Sequence, residues 1–170
     1  MKVLVISAFA LFVIIAISVV VGFLLPKRHL ATRSAFIAQP CADVFQLISG
    51  PPGWRGDVSA WKELAPSDGL YTWSETTRNS DTITYQRVRS EPPHILVTRI
   101  ADPSLPYGGT WTFALEESNA GTLLRITEDG DVRNPIFRFM SRFVFGHSST
   151  IEKYLANLSE HYGEKLEIKP

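Results

Sequence analysis

From Val3 to Leu25 the chain carries no charged side chain, and only Ser7, Ser18 and Gly22 interrupt the apolar run. In a helix such a run extends about 34 Å, enough to cross the hydrocarbon core of a bilayer. Removing it leaves one domain's worth of the 170 residues, too little to surround a helix that is apolar on every side. Residues 3–25 therefore read as a transmembrane helix. A cleaved leader would have an apolar core of roughly 7 to 15 residues followed by a small-x-small site. Here the candidate site, Ala16-Ile17-Ser18, lies inside the run, and a cut there would leave Val-Val-Val-Gly-Phe-Leu-Leu at the new terminus. Lys2 flanks one end of the run and Lys27, Arg28 and Arg33 the other, a small basic excess that predicts a single-pass protein with a cytoplasmic domain. The expected division is an anchor over residues 1–28 and one domain over residues 29–170.

Seventeen basic and seventeen acidic residues cancel, so no net field draws the chain to nucleic acid, and none is expected as a partner. Cys41 is the only cysteine, which excludes an internal disulfide framework. The histidines are scattered, with no spacing of the His-Glu-x-x-His kind, so neither a metal nor a cofactor is expected. Nucleophile-elbow, phosphate-loop and dinucleotide signatures do not occur.

Pro26 ends the apolar run, and a first strand over residues 29–38 follows without a flexible spacer. Pro40 opens a short helix, CADVFQLIS, with Val44, Phe45 and Ile48 on one face, and Gly50-Pro51-Pro52-Gly53 stops it. The stretch WRGDVSAWKELAP reads as loop. Segments rich in Thr, Tyr, Trp, Val and Ile then predict an antiparallel meander over 70–78, 82–90, 95–101, 110–116 and 122–128, with turn chemistry between them. Asn134 as N-cap and Pro135 at the first helical position open a long helix expected to run to about Tyr162. Its stripe is Phe137, Met140, Val144, Ser148, Ile151, Leu155 and Leu158.

This order of strand, short helix, meander and long C-terminal helix resembles the START-like (SRPBCC, polyketide cyclase/dehydrase-related) superfamily over residues 29–163. The Pro-x-x-x-Val-Phe helix at Pro40–Phe45, the Trp54 segment, Gly-Gly-Thr-Trp-Thr-Phe at Gly108–Phe113 and Thr-Glu-Asp-Gly at Thr127–Gly130 look like that group. The resemblance implies an α+β helix-grip fold, a curved antiparallel sheet wrapped around a C-terminal helix. It also implies a cavity between the two for an apolar small molecule: a lipid, an acyl chain or a polyketide-like aromatic.

The candidate pocket residues are Trp73, Tyr85, Arg99, Trp111, Phe113, Leu115, Ile126, Glu128, Met140, Val144, His147 and Ile151. Trp111, Phe113 and Leu115 share one strand face and Leu124, Ile126 and Glu128 one face of the next, as pocket wall or as ordinary core. Arg99 is the candidate partner of Glu128, and His147 a polar group one turn beyond Phe143. Two alternatives accompany the binding reading: a cyclase/dehydrase-type enzyme using Arg99, Glu128 or His147, and an interaction module whose cavity is filled by the four Trp and ten Phe side chains. Arg138, Phe139, Arg142 and Phe143, with Phe145, make the start of the long helix a candidate membrane contact.

Overall fold

A computed structural model describes residues 2–170, with the side chains of residues 3–5 and of Phe145 outside the described set. The apolar run forms α1 (Lys2–Leu24). Within it Ile6–Leu24 is long and apolar enough to cross a membrane, and its side chains point outward from the protein. One residue, Lys27, separates Pro26 from β1 (Arg28–Ile37), and α2 (Cys41–Ser49) follows. β2 (Val58–Ser67), β3 (Leu70–Thr77), β4 (Thr82–Glu91), β5 (Ile95–Ile100), β6 (Tyr107–Ser118) and β7 (Gly121–Val132) complete the sheet, and α3 (Pro135–Met140) and α4 (Ser149–Tyr162) complete the chain.

The seven strands form one antiparallel sheet in the order β1-β7-β6-β5-β4-β3-β2. The first two strands thus lie at opposite edges, and α2 carries the chain between them. Its buried face, Cys41, Val44, Phe45 and Ile48, joins Ile37, Leu115, Leu124 and Ile126 of the sheet and Ile151, Leu155 and Leu158 of α4 in the core. This is the helix-grip architecture expected from the element order.

Three local expectations are corrected. The stretch after Trp54 is not loop: it contains the edge strand β2, joined to β3 by Asp68-Gly69, both at positive φ (55° and 73°). The strand is exposed along much of both faces and is bulged between Leu64 and Ser67, where Pro66 sits, so it lacks the alternation by which strands are recognised.

The second correction concerns glycines. Gly108-Gly109 and the Thr127–Gly130 motif are interior to β6 and β7, where Gly109 faces Gly130 across the ladder. A side chain at Gly109 (φ 139°) would strike the backbone of Asp129, and one at Gly130 would strike the His29 ring on β1. The absence of a Cβ on either strand is what lets β6, β7 and the His29 ring of β1 approach this closely. Gly109→Ala is expected to cost about 3 kcal/mol in denaturant unfolding, from strain and overpacking together; an unchanged midpoint would refute this role.

Third, the long C-terminal helix is broken. Asn134 caps α3 as expected, its Oδ1 accepting from the Ile136 and Phe137 amides at 2.8 and 3.3 Å. A wide helical turn (Ser141–Phe145) and Gly146 at φ 79° then redirect the chain into α4. The first segment docks on the end of α1 instead of the sheet. Arg138 donates to the carbonyls of Leu25 (3.0 Å) and Arg133 (3.1 Å), and Gly22 lies against the Pro135 backbone. α4 is fixed separately, by Arg33 of β1 donating to Glu152 (2.9 Å) and to the Ser148 hydroxyl (2.6 Å).

Candidate functional site

The inner faces of β2–β6, the end of α2 and Tyr154 of α4 enclose a cavity of about 280 Å³. All four tryptophans of the chain line it, Trp54, Trp61, Trp73 and Trp111, and so do four of its five tyrosines, Tyr71, Tyr85, Tyr107 and Tyr154. The tryptophans and tyrosines are thus concentrated in the walls, Phe113 is the one phenylalanine among them, and the space between stays open.

Strand register sets the walls. Side chains two apart share a face, so Tyr71, Trp73 and Glu75 of β3 turn inward with Ile83, Tyr85 and Arg87 of β4. Trp73 stands opposite Tyr85 and stacks on it at 5.6 Å, with Ile100 next in the same row. The neighbouring row runs Trp111, Thr98, Arg87. Tyr154 closes the helix side, with its ring 5.4 Å from Trp54, 5.8 Å from Trp111 and 5.4 Å from Phe113.

One end of the cavity carries charge. Arg55 donates to Glu75 (2.8 Å) and to both oxygens of Asp57 (3.2 and 3.0 Å), and its guanidinium lies 5.3 Å from the Tyr154 ring centre. The Trp73 indole donates to the other Glu75 oxygen (2.9 Å), and Asn157 of α4 donates to Asp57 (3.1 Å). Burial works to raise the Asp57 pKa, but hydrogen bonds and charge from Arg55, with Lys153, outweigh it and hold the carboxyl below the usual range. Burial drives Tyr85 and Tyr154 the other way, far above the ordinary phenol value, with the Glu75 charge adding to the shift. Both phenols therefore stay protonated near neutral pH.

Of the residues singled out from sequence, Trp73, Tyr85, Trp111 and Phe113 turn their side chains into the cavity, while Arg99, between the inward Thr98 and Ile100, borders it from the opposite face of β5. Leu115, Ile126 and Ile151 lie behind it in the packed core. Arg99 does not meet Glu128: its Nε donates to Gln86 (2.8 Å) and its Nη2 faces Asp68 at 3.7 Å. Glu128 stands opposite Trp111 in the ladder, but its carboxylate accepts from Thr150 (2.8 Å) and faces His29 at 3.6 Å.

The break in the C-terminal helix moves the remaining candidates away from the cavity. Met140 ends α3, Val144 is exposed on the wide turn, and His147 stacks on His29 at 4.4 Å with Ser141 2.9 Å from its Nδ1. Burial lowers the His147 pKa, helped by His29 and Arg142 and opposed by Glu128. At the candidate membrane contact the Phe139 and Phe143 rings meet tilted at 5.0 Å and Phe143 is exposed, while Arg138 is buried with two carbonyl acceptors. Phe145 lies outside the described residues.

The residues that sequence reading missed are Trp54, Trp61, Tyr71, Arg55, Asp57, Glu75, Arg87 and Tyr154. The alternations Tyr71-x-Trp73-x-Glu75 and Ile83-x-Tyr85-x-Arg87 hold the signal for the strand residues. Arg55 and Asp57 sit in a short connection without periodicity, and only the fold brings them to Glu75.

A curved sheet gripped by a helix around an aromatic-lined cavity defines a helix-grip fold, and solved structures share it. The di-domain ARO/CYC StfQ from the steffimycin biosynthetic pathway superposes with a TM-score of 0.62 at 15% identity, over 81% of this chain and 50% of that one. BexL, a di-domain ARO/CYC from another biosynthetic pathway, gives 0.63 at 18%, over 82% and 51%. Protein MLL2253 from Mesorhizobium loti gives 0.60 at 14%, over 79% and 97%. This chain thus spans about half the length of the two di-domain proteins. No family model matches the sequence, and comparison with curated proteins gives no match.

Proposed function

We propose that the chain is a membrane-anchored binding protein for an apolar, aromatic-compatible small molecule held between the sheet and α4. The observation that carries this is the cavity of about 280 Å³ bounded by all four tryptophans. Burying a ligand against such walls gains about 25 cal/mol per Å² of apolar surface, and hydroxyl and charged groups at one end fix its orientation. The ARO/CYC neighbours agree with this reading in fold. Among the groups on which an enzyme reading relied, Arg99 is held by Gln86 on the face of β5 opposite the inward Thr98 and Ile100, while Glu128 and His147 are engaged elsewhere, which favours binding over catalysis.

The anchor is α1, and the basic residues after it favour a cytoplasmic domain. Support for a domain lying on the bilayer comes from Arg138 and Gly22, which tie α3 to the end of the span. Phe23 and Leu24 at the end of α1 and Ile136, Phe137 and Phe143 in the segment that follows the α1 contact are all exposed, as an interfacial contact requires, with Arg142 in the same segment for headgroups.

The test is a titration of the full chain in detergent with N-phenyl-1-naphthylamine, reading emission sensitised by the tryptophans. The wild type is expected to bind saturably. Thr98→Trp, which sets an indole on the inner face between Trp111 and Arg87, should weaken binding at least about tenfold. Equal binding by the variant would place the probe outside the cavity and refute the assignment.

A further inference from the structure

We infer that the ligand is an acid, and that Arg87 is the residue that receives its oxyanion. This rests on the cavity reading above and adds to it the ligand's chemical class.

Arg87 lies on the inner face of β4, in the row that continues through Thr98 to Trp111, and it lines the cavity. Its guanidinium is held in place. It lies 4.7 Å from the Tyr71 ring centre, and Nη2 donates to the Ser49 carbonyl at the end of α2 at 2.5 Å. Its Nε is buried and has no hydrogen-bond partner among the described residues.

The other arginines around the cavity are compensated. Arg55 has two carboxylates, Asp57 and Glu75, and Arg99 has Asp68 at 3.7 Å. Arg87 forms no ion pair among the described residues. A buried donor without an acceptor is costly, and a guanidinium offers parallel N–H groups that match a two-oxygen anion. An uncompensated, pre-positioned guanidinium in an aromatic wall is suited to an apolar body that ends in a carboxylate. A fatty acid and an aromatic acid share that chemistry.

The experiment uses the full chain in detergent at neutral pH and two probe pairs, 2-naphthoate with 2-naphthamide and decanoate with decanol, read by quenching of tryptophan emission or by displacement of the naphthylamine probe. In the wild type the acid of at least one pair is expected to bind about tenfold or more tighter than its neutral partner, as a charge-assisted hydrogen bond implies. The pair with the larger ratio identifies the body as aromatic or acyl. Arg87→Met should bring that ratio to about one while affinity for the neutral partner holds within about threefold. Arg87→Gln, which keeps a donor for the Ser49 carbonyl, should do the same and serves if the methionine variant does not fold. Arg89→Met, on the same strand but exposed and paired with Glu91, should keep the preference.

Equal binding of acid and neutral partner by the wild type, or a preference that survives both Arg87 substitutions, overturns this inference while leaving the cavity reading intact. Failure of all four probes on a protein that still binds the naphthylamine overturns this inference alone; failure of the naphthylamine as well overturns the cavity reading.

Discussion

Arg55→Met is expected to destabilise the domain by about 3–5 kcal/mol, because it strands two carboxylates that the fold has withdrawn from water. Glu75 is nearly buried and Asp57 is mostly so, and the guanidinium that compensates both is supplied by the short connection before β2. Glu75→Gln should cost less, since the amide still accepts from Trp73 and leaves Arg55 its bidentate contact with Asp57. The cluster also sets part of the acid response. A carboxyl whose folded pKa is depressed contributes stability in full above its unfolded value of about 4, and the contribution disappears as pH falls through the folded value. Melting of the wild type between pH 5 and pH 2 should therefore show an acid loss to which Asp57 contributes, and Arg55→Met should start lower and flatten that part of the profile. A methionine variant as stable as wild type at neutral pH would show that the cluster is solvated.

Leu155→Ala and Trp111→Ala are expected to separate stability from binding. Leu155 is fully buried on the α4 face that meets the sheet, in contact with no cavity space, and its truncation should cost about 2–5 kcal/mol. Trp111 is only partly buried, with one side of its ring against Tyr154 and Phe113 and another toward the cavity. Its removal should cost less in denaturant unfolding than that of Leu155 and should weaken naphthylamine binding at least about tenfold, as the loss of an aromatic wall implies. Equal losses of stability with binding retained by Trp111→Ala would mean that the indole is core and the cavity is incidental.

What the sequence disclosed depended on periodicity. The inner face Trp111-Phe113-Leu115 and the paired face Leu124-Ile126-Glu128 alternate cleanly, and the ladder sets them opposite one another. β2 was hidden because an edge strand exposed along both faces has no pattern of period two, although Asp68-Gly69 after it is the strongest short hairpin signal known. Gly109 and Gly130 read as turn residues, yet they lie within the ladder, where neighbouring atoms approach too closely for a Cβ.

The C-terminal helix misled for another reason. Its apolar spacing is continuous through Gly146, but Phe137 and its neighbours belong to the α1 contact and only the stripe from Ile151 onward faces the sheet. Every pocket candidate taken from the first half of that stripe shifted with it. The charged end of the cavity was out of reach altogether, since Arg55, Glu75 and Asn157 come from three separate parts of the chain and meet only through topology.

The central claim is that the cavity holds a molecule, and native mass spectrometry of the full chain released from detergent tests it most directly, with a denatured and solvent-extracted sample beside it. The account predicts a bound species at one per chain, an apolar acid, on a protein whose mass includes residues 1–25, and loss of that species in Thr98→Trp. A bare protein mass from the wild type, across several expression conditions, would contradict it.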